Sequence, residues 1–216
     1  PTNTATPTPL VTDGPSPTPT PTLAPTPTAI PGALTVSARQ DAYISQWFPS
    51  TNFSGERELI VRQGDIVAFL LQFDLSGIPA DAPIHGAYLN LYAFDRSNTG
   101  SLYAKVYQVR RAWVGAVSWQ QASRSVAWAQ AGCNGEGSDR DQIPQDTVLL
   151  NAKNYWFTLD ITNMVRAWVA DPSTNHGLVI KGYGNTSVQY HFASNEWEDP
   201  AFRPQLIISA GDLPTF

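Results

Sequence analysis

The sequence predicts an all-β protein: an antiparallel sandwich of two sheets in jelly-roll topology, with one short helix and a preceding extended arm. Short runs that alternate apolar and polar residues recur along the chain from residue 33 onward, and such alternation is typical of strands with one buried face. Clusters of Gly, Pro, Asn, Asp and Ser separate these runs at nearly regular intervals. Many short strands with regularly spaced turns indicate a sandwich rather than a parallel sheet.

The predicted strands are short and cover most of the chain after the arm. Residues 84–94 show the pattern best, because Leu89, Leu91 and Ala93 all face one side of an extended chain. Strands are predicted over residues 34–38, 42–45, 59–61, 66–73, 84–94, 101–109, 147–150, 155–159, 178–181, 188–193 and 205–209.

One helix is predicted at residues 162–170. Met164, Val165 and Trp168 recur there at the spacing of a single helical face. Asp160 comes just before this segment and is the residue type that caps a helix or a turn.

The middle of the chain has no clear strand pattern. Residues 113–128 place apolar side chains at partly helical spacing, which predicts a loop with one short helical turn. Residues 132–146 combine glycine with charged residues, and this composition predicts a long surface loop.

Residues 1–32 form a Pro/Thr-rich arm in which Asp13 is the only charged side chain. Proline fixes φ and lacks a backbone N–H, so the arm is expected to run as solvated polyproline II. Three interpretations stay open: an undecorated spacer, an arm that packs on its own domain or on a neighbouring copy, and an O-glycosylated stalk. The threonines that suit O-glycosylation are Thr2, Thr4, Thr6, Thr8, Thr18, Thr20, Thr22, Thr26 and Thr28.

The domain organisation follows from this arm. Residues 33–210 are predicted to form the sandwich domain, and residues 211–216 a C-terminal tail. With a single cysteine, Cys133, the chain forms no intrachain disulfide, so its stability must come from the size of its core. Pro/Thr-rich arms are typical of proteins outside cells, and we therefore predict an extracellular or cell-surface location, on a bacterial or archaeal cell.

Charge and hydropathy restrict the classes of partner. The net charge is −5 and only 14% of residues are charged, with no basic cluster, which argues against nucleic acid as a partner. No stretch is apolar over the length of a membrane span. No nucleophile, phosphate-binding or zinc motif is present in the sequence, and we predict that the protein is not an enzyme.

The candidate binding residues come from two polar loops that each contain a tryptophan, Trp47 and Trp197. If the last strand pairs with the strand before Trp47, the two loops meet at one rim of the sandwich. Flat aromatic rings at this rim could stack on sugars, helped by Asn52, Asn195 or Glu196, or they could anchor a protein interface. The other tryptophans in apolar patterns are expected in the core: Trp119, Trp128, Trp156 and Trp168.

Three aspartates lie at predicted strand ends. Asp74 and Asp160 are interpreted as caps of the turns that follow them. Asp41 is a candidate ligand of Ca²⁺ beside backbone carbonyls, although no D-x-D-x-D cluster accompanies it. No other cofactor is expected.

Several segments resemble the DNRLRE-type domains in their order and spacing, over residues 38–210. Such domains are secreted β-jelly-roll modules found in large cell-surface proteins and beside polysaccharide-degrading domains. The resemblance implies a similar module here, and because some relatives are carbohydrate-binding modules with alginate among their ligands, it also implies a possible glycan partner. The segments are residues 41–44, 51–55, 71–79, 87–92, 117–119, 159–162 with Trp168, 175–178 and 192–206.

Two functions therefore remain open from the sequence. One is a non-catalytic structural subunit, in which the Pro/Thr arm packs on other copies of the chain and builds a fibre or a surface array. The other is a carbohydrate-binding module carried on a Pro/Thr stalk of a larger secreted polysaccharide-active protein.

Overall fold

The computed structural model describes residues 33–211. The predictions about residues 1–32, which include the arm, its packing on other copies and its O-glycosylation sites, lie outside the described residues. The same holds for residues 212–216 of the predicted tail.

The described residues form twelve strands and one α-helix, α1, at Thr162–Ala170. The predicted helix and nearly all predicted strands are confirmed. The strands are β1 (Leu34–Ser45), β2 (Glu58–Arg62), β3 (Val67–Phe73), β4 (Ile84–Arg96), β5 (Leu102–Gln108), β6 (Gln121–Ser123), β7 (Val126–Ala127), β8 (Asp146–Leu150), β9 (Tyr155–Asp160), β10 (Leu178–Tyr183), β11 (Gln189–Ala193) and β12 (Gln205–Ala210).

All strand pairings are antiparallel, and together they give a barrel-like sandwich. Hydrogen bonds connect ten strands in the order β1-β12-β4-β11-β2-β3-β10-β5-β8, with β9 beside β4, and β2 meets β3 at the single pair Arg62 and Val67. We call β9, β4, β12, β11 and β2 the front sheet, and β3, β10, β5 and β8 the back sheet. Strand β1 belongs to both, because residues 34–37 pair with β12 and residues 38–45 pair with β3. The register shifts between Ala38 and Gln40, which marks the irregularity where the strand passes from one sheet to the other.

The main core lies between the two sheets. Strand β4 contributes Leu89 and Leu91, and β3 contributes Phe69 and Leu71, all at most 1% exposed. Helix α1 adds Trp168 and its apolar neighbours to this same core. Asp160 accepts a hydrogen bond from the Thr162 N–H at 2.9 Å, which confirms its predicted role as the cap of this turn. The N-cap residue of α1 itself is Ile161, which has no side-chain cap hydrogen bond.

A second core lies on the outer face of the back sheet. The residues that follow β5 cross this face, and we call residues 113–141 the covering segment. Its side chains Trp113, Trp119 and Trp128 pack in one cluster with Leu70 and Val179 of the back sheet. The four tryptophans that the sequence placed in the core are all at most 7% exposed.

The prediction of a helical turn in residues 113–128 is wrong. Strands β6 and β7 form a small hairpin there. The apolar spacing that suggested a helix arises because the segment lies flat on a sheet, and Val117 and Trp119 contact that sheet at irregular intervals. The Trp128 Nε1–H donates to the Ser118 carbonyl at 3.0 Å and ties the hairpin together.

Two buried charges hold the covering segment in place. Lys181 of β10 is fully buried, and its Nζ donates to both oxygens of Asp65 at 3.0 and 3.1 Å and to the Gly132 carbonyl at 2.7 Å. Asp139 is also fully buried and accepts from the N–H groups of Ala129, Gln130 and Gly135. The predicted surface loop is therefore anchored at its centre, and the lone Cys133 beside this anchor is buried as well.

We expect Asp139→Ala to lower the free energy of unfolding by about 3 to 5 kcal/mol. The substitution leaves three backbone N–H groups without their acceptor and the Arg111 guanidinium, which contacts Asp139 at 2.7 Å, without its carboxylate. Urea unfolding followed by tryptophan fluorescence measures the change. Lys153→Ala serves as the control, because it removes an exposed ion pair with Asp95 and should cost at most about 1 kcal/mol. Equal losses in both variants would contradict the anchoring role of Asp139.

Candidate functional site

The most exposed aromatic pair of the described residues lies in the loop between β1 and β2. We call residues 46–55 the rim loop. Trp47 is 53% exposed and Phe48, next to it, is 57% exposed. Exposure of large aromatic side chains to water is unfavourable and is relieved when a ligand covers them, and exposed apolar patches commonly mark binding sites.

The rim loop is held by hydrogen bonds at both ends. The Gln46 N–H donates to the Ile66 carbonyl at 2.8 Å, and the Pro49 carbonyl accepts from Gln120 N–H at 3.1 Å. The Asn52 Nδ2 donates to the Gly115 carbonyl at 2.6 Å and to the Val117 carbonyl at 2.7 Å. Because the loop is already ordered, binding would cost little conformational entropy.

A column of aromatic rings supports Phe48. Phe53 stacks on Tyr43 with ring centroids 4.2 Å apart, and Phe48 meets the edge of Phe53 at 6.2 Å. Burial, together with Glu56 and Glu58, raises the pKa of Tyr43 to about 12. Tyr43 is thus uncharged at any physiological pH, and its ring supports Phe53 from below the loop.

Arg62 lies beside Trp47 and gives the site a cationic donor. Its Cζ is 4.9 Å from the centroid of the Trp47 ring, within the range of a cation–π interaction. Its Nη2 also donates to Ser187 Oγ at 2.9 Å. The guanidinium has five N–H donors, so hydrogen-bonding capacity remains for a ligand that lies against Trp47.

The second predicted loop forms a different surface. Trp197 is half-buried and lies 4.4 Å from Phe94, centroid to centroid. The Asn195 N–H donates to Asp41 Oδ2 at 2.7 Å. This internal hydrogen bond leaves the Asn195 N–H unable to donate to a ligand. Glu196 is exposed at the edge of this loop.

The structure does not bring Trp47 and Trp197 together. Strand β12 pairs with residues 34–37 at the start of β1, whereas the residues just before Trp47 pair with β3. Trp47 contacts Arg62, the last residue of β2. In the loop of Trp197, the Ser194 N–H donates to the carbonyl of Arg57, which lies just before the first residue of β2. The condition for a single rim is thus not met, because β1 changes partner along its length.

The model of carbohydrate-binding module family 96 matches residues 32–210, which include all of the described residues except Gly211. The chain belongs to carbohydrate-binding module family 96. Comparison with curated proteins finds no match. Members of such a family are binding modules and carry no catalytic machinery of their own, which agrees with the absence of a catalytic motif in the sequence.

Of the two functions that the sequence left open, the family assignment supports carbohydrate binding and gives no support to the fibre subunit. Within residues 33–211, no helix has the length and apolar character that crossing a bilayer requires. Flat aromatic rings with polar neighbours are suited to stacking on a sugar ring. Among residues 33–211, such rings are most exposed in the rim loop.

Sequence reasoning missed part of the rim-loop site and an aromatic cluster of Tyr92, Trp156 and Phe202 on the front sheet. Phe48 carried a signal, since it follows Trp47 in the same polar loop, but Arg62 comes from β2 and only the strand pairing brings it near. On the front sheet, Tyr92 lies 4.4 Å from Phe202 and 5.3 Å from Trp156. Phe202 arrives from a loop more than a hundred residues later, which no local pattern reveals.

Asp41, the predicted Ca²⁺ ligand, is a buried carboxyl group at 4% exposure. Burial, together with Glu196, raises its pKa to about 7, against the opposing hydrogen bond from Asn195 N–H. Among the described residues, no group of three or more His, Cys, Asp and Glu side chains is placed to hold a metal ion. The Ca²⁺ site therefore stays a prediction.

We expect Asp41→Asn to flatten the pH dependence of stability. The folded-state pKa of about 7 lies above the ordinary value of 3.8, so the folded protein keeps a proton that the unfolded chain releases. Asp41 thus lowers stability as pH rises from about 4 to about 7, by roughly 1.4 kcal/mol per pH unit at most. The amide of Asn cannot ionise and still accepts from Asn195 N–H.

Urea unfolding at pH 5 and pH 8 measures this effect. The loss of stability between the two pH values should be smaller in Asp41→Asn than in the parent by a few kcal/mol. Asp95→Asn is the matched control, because the pKa of exposed Asp95 is lowered by Lys153 and Asp95 does not titrate in this window. An unchanged pH profile in Asp41→Asn would show that this carboxyl ionises normally.

Proposed function

We propose that this module binds polysaccharide through the rim loop, with Trp47 and Phe48 as the stacking surface and Arg62 as the polar contact. The observation that carries the proposal is the pair of exposed aromatic rings on a loop that internal hydrogen bonds already hold in place. The family assignment supplies the class of ligand.

The chemistry of the loop suits a sugar chain. One face of a pyranose ring presents C–H groups and is apolar, and a flat indole can cover it, while the hydroxyl groups at the ring edge need hydrogen-bond partners. Arg62 and the exposed backbone of the loop offer such partners close to Trp47. Asn52 is a supporting residue in this proposal, since both of its donated bonds go to backbone carbonyls.

The setting that fits this function is a non-catalytic extracellular module. The resemblance to DNRLRE-type domains and the Pro/Thr composition of residues 1–32 both favour a secreted protein. In it, the arm is a stalk that connects this module to the rest of a larger protein. The alternative of a fibre subunit depends on arm packing in residues 1–32, outside the described residues. The O-glycans on its threonines likewise stay a prediction, which the intact mass of natively sourced protein can test.

Trp47→Ala is expected to weaken polysaccharide binding by about tenfold or more, since losing a stacked aromatic contact costs on the order of 1 to 3 kcal/mol. Phe48→Ala should have a smaller effect in the same direction. Affinity electrophoresis against a panel of acidic and neutral polysaccharides, followed by calorimetry on the best ligand, provides the measurement. Tyr103→Ala is the control, because Tyr103 is 51% exposed but lies on β5 of the back sheet.

Two results would contradict the proposal. One is a parent protein that no polysaccharide of the panel retards. The other is binding that Trp47→Ala and Tyr103→Ala reduce equally, which would place the ligand elsewhere or make the contact unspecific.

Deletion of residues 1–32 separates the two proposed settings of the module. If the arm is a stalk, the shortened chain should keep the polysaccharide affinity of the parent, and both should sediment as monomers. If the arm builds a fibre, the parent should form concentration-dependent assemblies that the deletion abolishes. Sedimentation velocity over a range of concentrations, with unfolding curves to confirm that the domain stays folded, decides between them.

A further inference from the structure

The outer edges of β8 and β9 lie side by side on one flank of the sandwich. Among the described strands, β8 pairs only with β5 and β9 pairs only with β4, so each of them ends its sheet. A groove of about 530 Å³ runs along these edges, and its lining carries no charged side chain. Its apolar lining residues include Val148, Leu149, Ala152, Tyr155 and Phe157.

The main core reaches the surface in this groove. Val148 and Ala152 pack against the core and yet stay partly exposed. Leu149 is 40% exposed and Tyr155 is 43% exposed. Apolar side chains in contact with water at an unpaired sheet edge form a template for one more strand.

The strand pairing shows which backbone groups of β9 point toward the open edge. The Asp160 N–H donates to Asp146 Oδ2 at 2.8 Å, so it points away from β4. Because the direction of these groups alternates along a strand, the N–H and C=O groups of Trp156 and Thr158 point the same way. Within residues 33–211, no second strand pairs with them, and the edge therefore offers two donors and two acceptors.

One segment of the Pro/Thr arm has a sequence that suits such an edge. Residues 15–22 read PSPTPTPT, with proline at every second position. In an extended pairing strand, alternate residues direct their N–H and C=O groups to the same side. Every N–H of this segment would then lie on one side, and the prolines, which have none, on the other. Such a strand can pair along one edge only, and sheets tolerate proline at edge positions.

The place where the arm joins the domain brings residues 15–22 within reach of β9. Residues 34–37 pair with β12, which pairs with β4, which pairs with β9. A strand added beyond β9 thus lies four strand spacings away, about 19 Å at roughly 4.8 Å each. The connection 23–33 can span about 34 Å at roughly 3.1 Å per residue, whereas 29–33, which follows the shorter Pro/Thr repeat at 25–28, spans only about 16 Å.

We propose that residues 15–22 of the chain's own arm add to the open edge of β9 as an edge strand and cover the groove. Threonine N–H groups of the segment donate to the carbonyls of Trp156 and Thr158, and carbonyls of the segment accept from the N–H groups of the same two residues. The prolines face away from β9 and end the sheet, because they offer no donor to a further strand. The segment is uncharged, as is the lining of the groove.

Arm docking goes beyond the proposed function, because the rim loop takes no part in it. A stalk held in this way would leave the domain at residue 15 rather than at residue 33. The docked segment would also shield an apolar edge that is otherwise open to pairing with other chains.

Amide hydrogen exchange of the full chain, followed by ¹H–¹⁵N NMR, tests the backbone pairing. The chain is produced without glycosylation, which its intact mass verifies. Thr18→Pro combined with Thr20→Pro removes two N–H groups of the arm, keeps the arm extended and leaves the domain unchanged. The amides of Trp156 and Thr158 should exchange about tenfold faster in this variant than in the parent, the scale of one or two backbone hydrogen bonds.

Thr18→Ala combined with Thr20→Ala is the matched control. It removes the same two side chains and keeps both N–H groups, so the two amides of β9 should exchange as in the parent. The Asp160 amide is an internal reference, because its acceptor is the Asp146 carboxylate within the domain and its exchange should not differ among the three proteins.

A nitroxide spin label on Gly14→Cys locates the arm. Cys133 is buried and stays unlabelled. The label should broaden the indole N–H resonance of Trp156, which its absence from the Trp156→Phe spectrum identifies. The resonance of Trp128 should stay sharp, because Trp128 lies in the covering segment on the outer face of the back sheet. The two proline substitutions should restore the intensity of the Trp156 resonance.

Three outcomes overturn the proposal. Amides of Trp156 and Thr158 that exchange equally in the parent and in the proline variant show that the edge stays open. Equal broadening of Trp156 and Trp128 shows that the arm has no fixed place on the domain. Broadening in a mixture of ¹⁵N chain without the label and spin-labelled chain without ¹⁵N places the arm on a neighbouring copy. Since no sugar enters these measurements, a failed polysaccharide assay leaves their result intact.

Discussion

Strand β1 joins the front and back sheets over its whole length, whereas β2 and β3 meet at a single pair of residues, so the sandwich depends mainly on β1. Its first residues complete the front sheet beside β12, and its later residues complete the back sheet beside β3. The register shift near Arg39 makes this change of partner possible. The same strand ends directly before the rim loop with Trp47, so its pairing with β3 fixes where that loop begins.

The covering segment shows how buried charge can replace a disulfide as a fastening. Lys181 reaches from the back sheet to the Gly132 carbonyl, and Asp139 gathers three N–H groups of the segment around one carboxylate. Each charge is fully buried and fully bonded, which is the condition under which such groups specify one arrangement of a chain. The rim loop depends on this fastening, since Asn52 bonds to the carbonyls of Gly115 and Val117.

Local periodicity predicted most of the fold, because strands such as β4 and helix α1 bury one side and show it in their spacing. It failed in residues 113–128, where contacts with a sheet imitated a helical pattern. The candidate site was predicted only in part. Trp47 stood out as an aromatic residue in a polar loop. Its neighbour Arg62 and its separation from Trp197 result from strand pairing over long sequence separations, which no window of sequence contains.

The seclusion of Cys133 has a practical consequence for handling the protein. Its side chain is fully buried and burial raises the pKa of its thiol to about 12, so almost no thiolate exists at neutral pH. The native domain should therefore resist alkylating reagents and air oxidation without any reductant. A cysteine introduced at an exposed position could then carry a fluorophore or a spin label selectively, with the natural residue left in place.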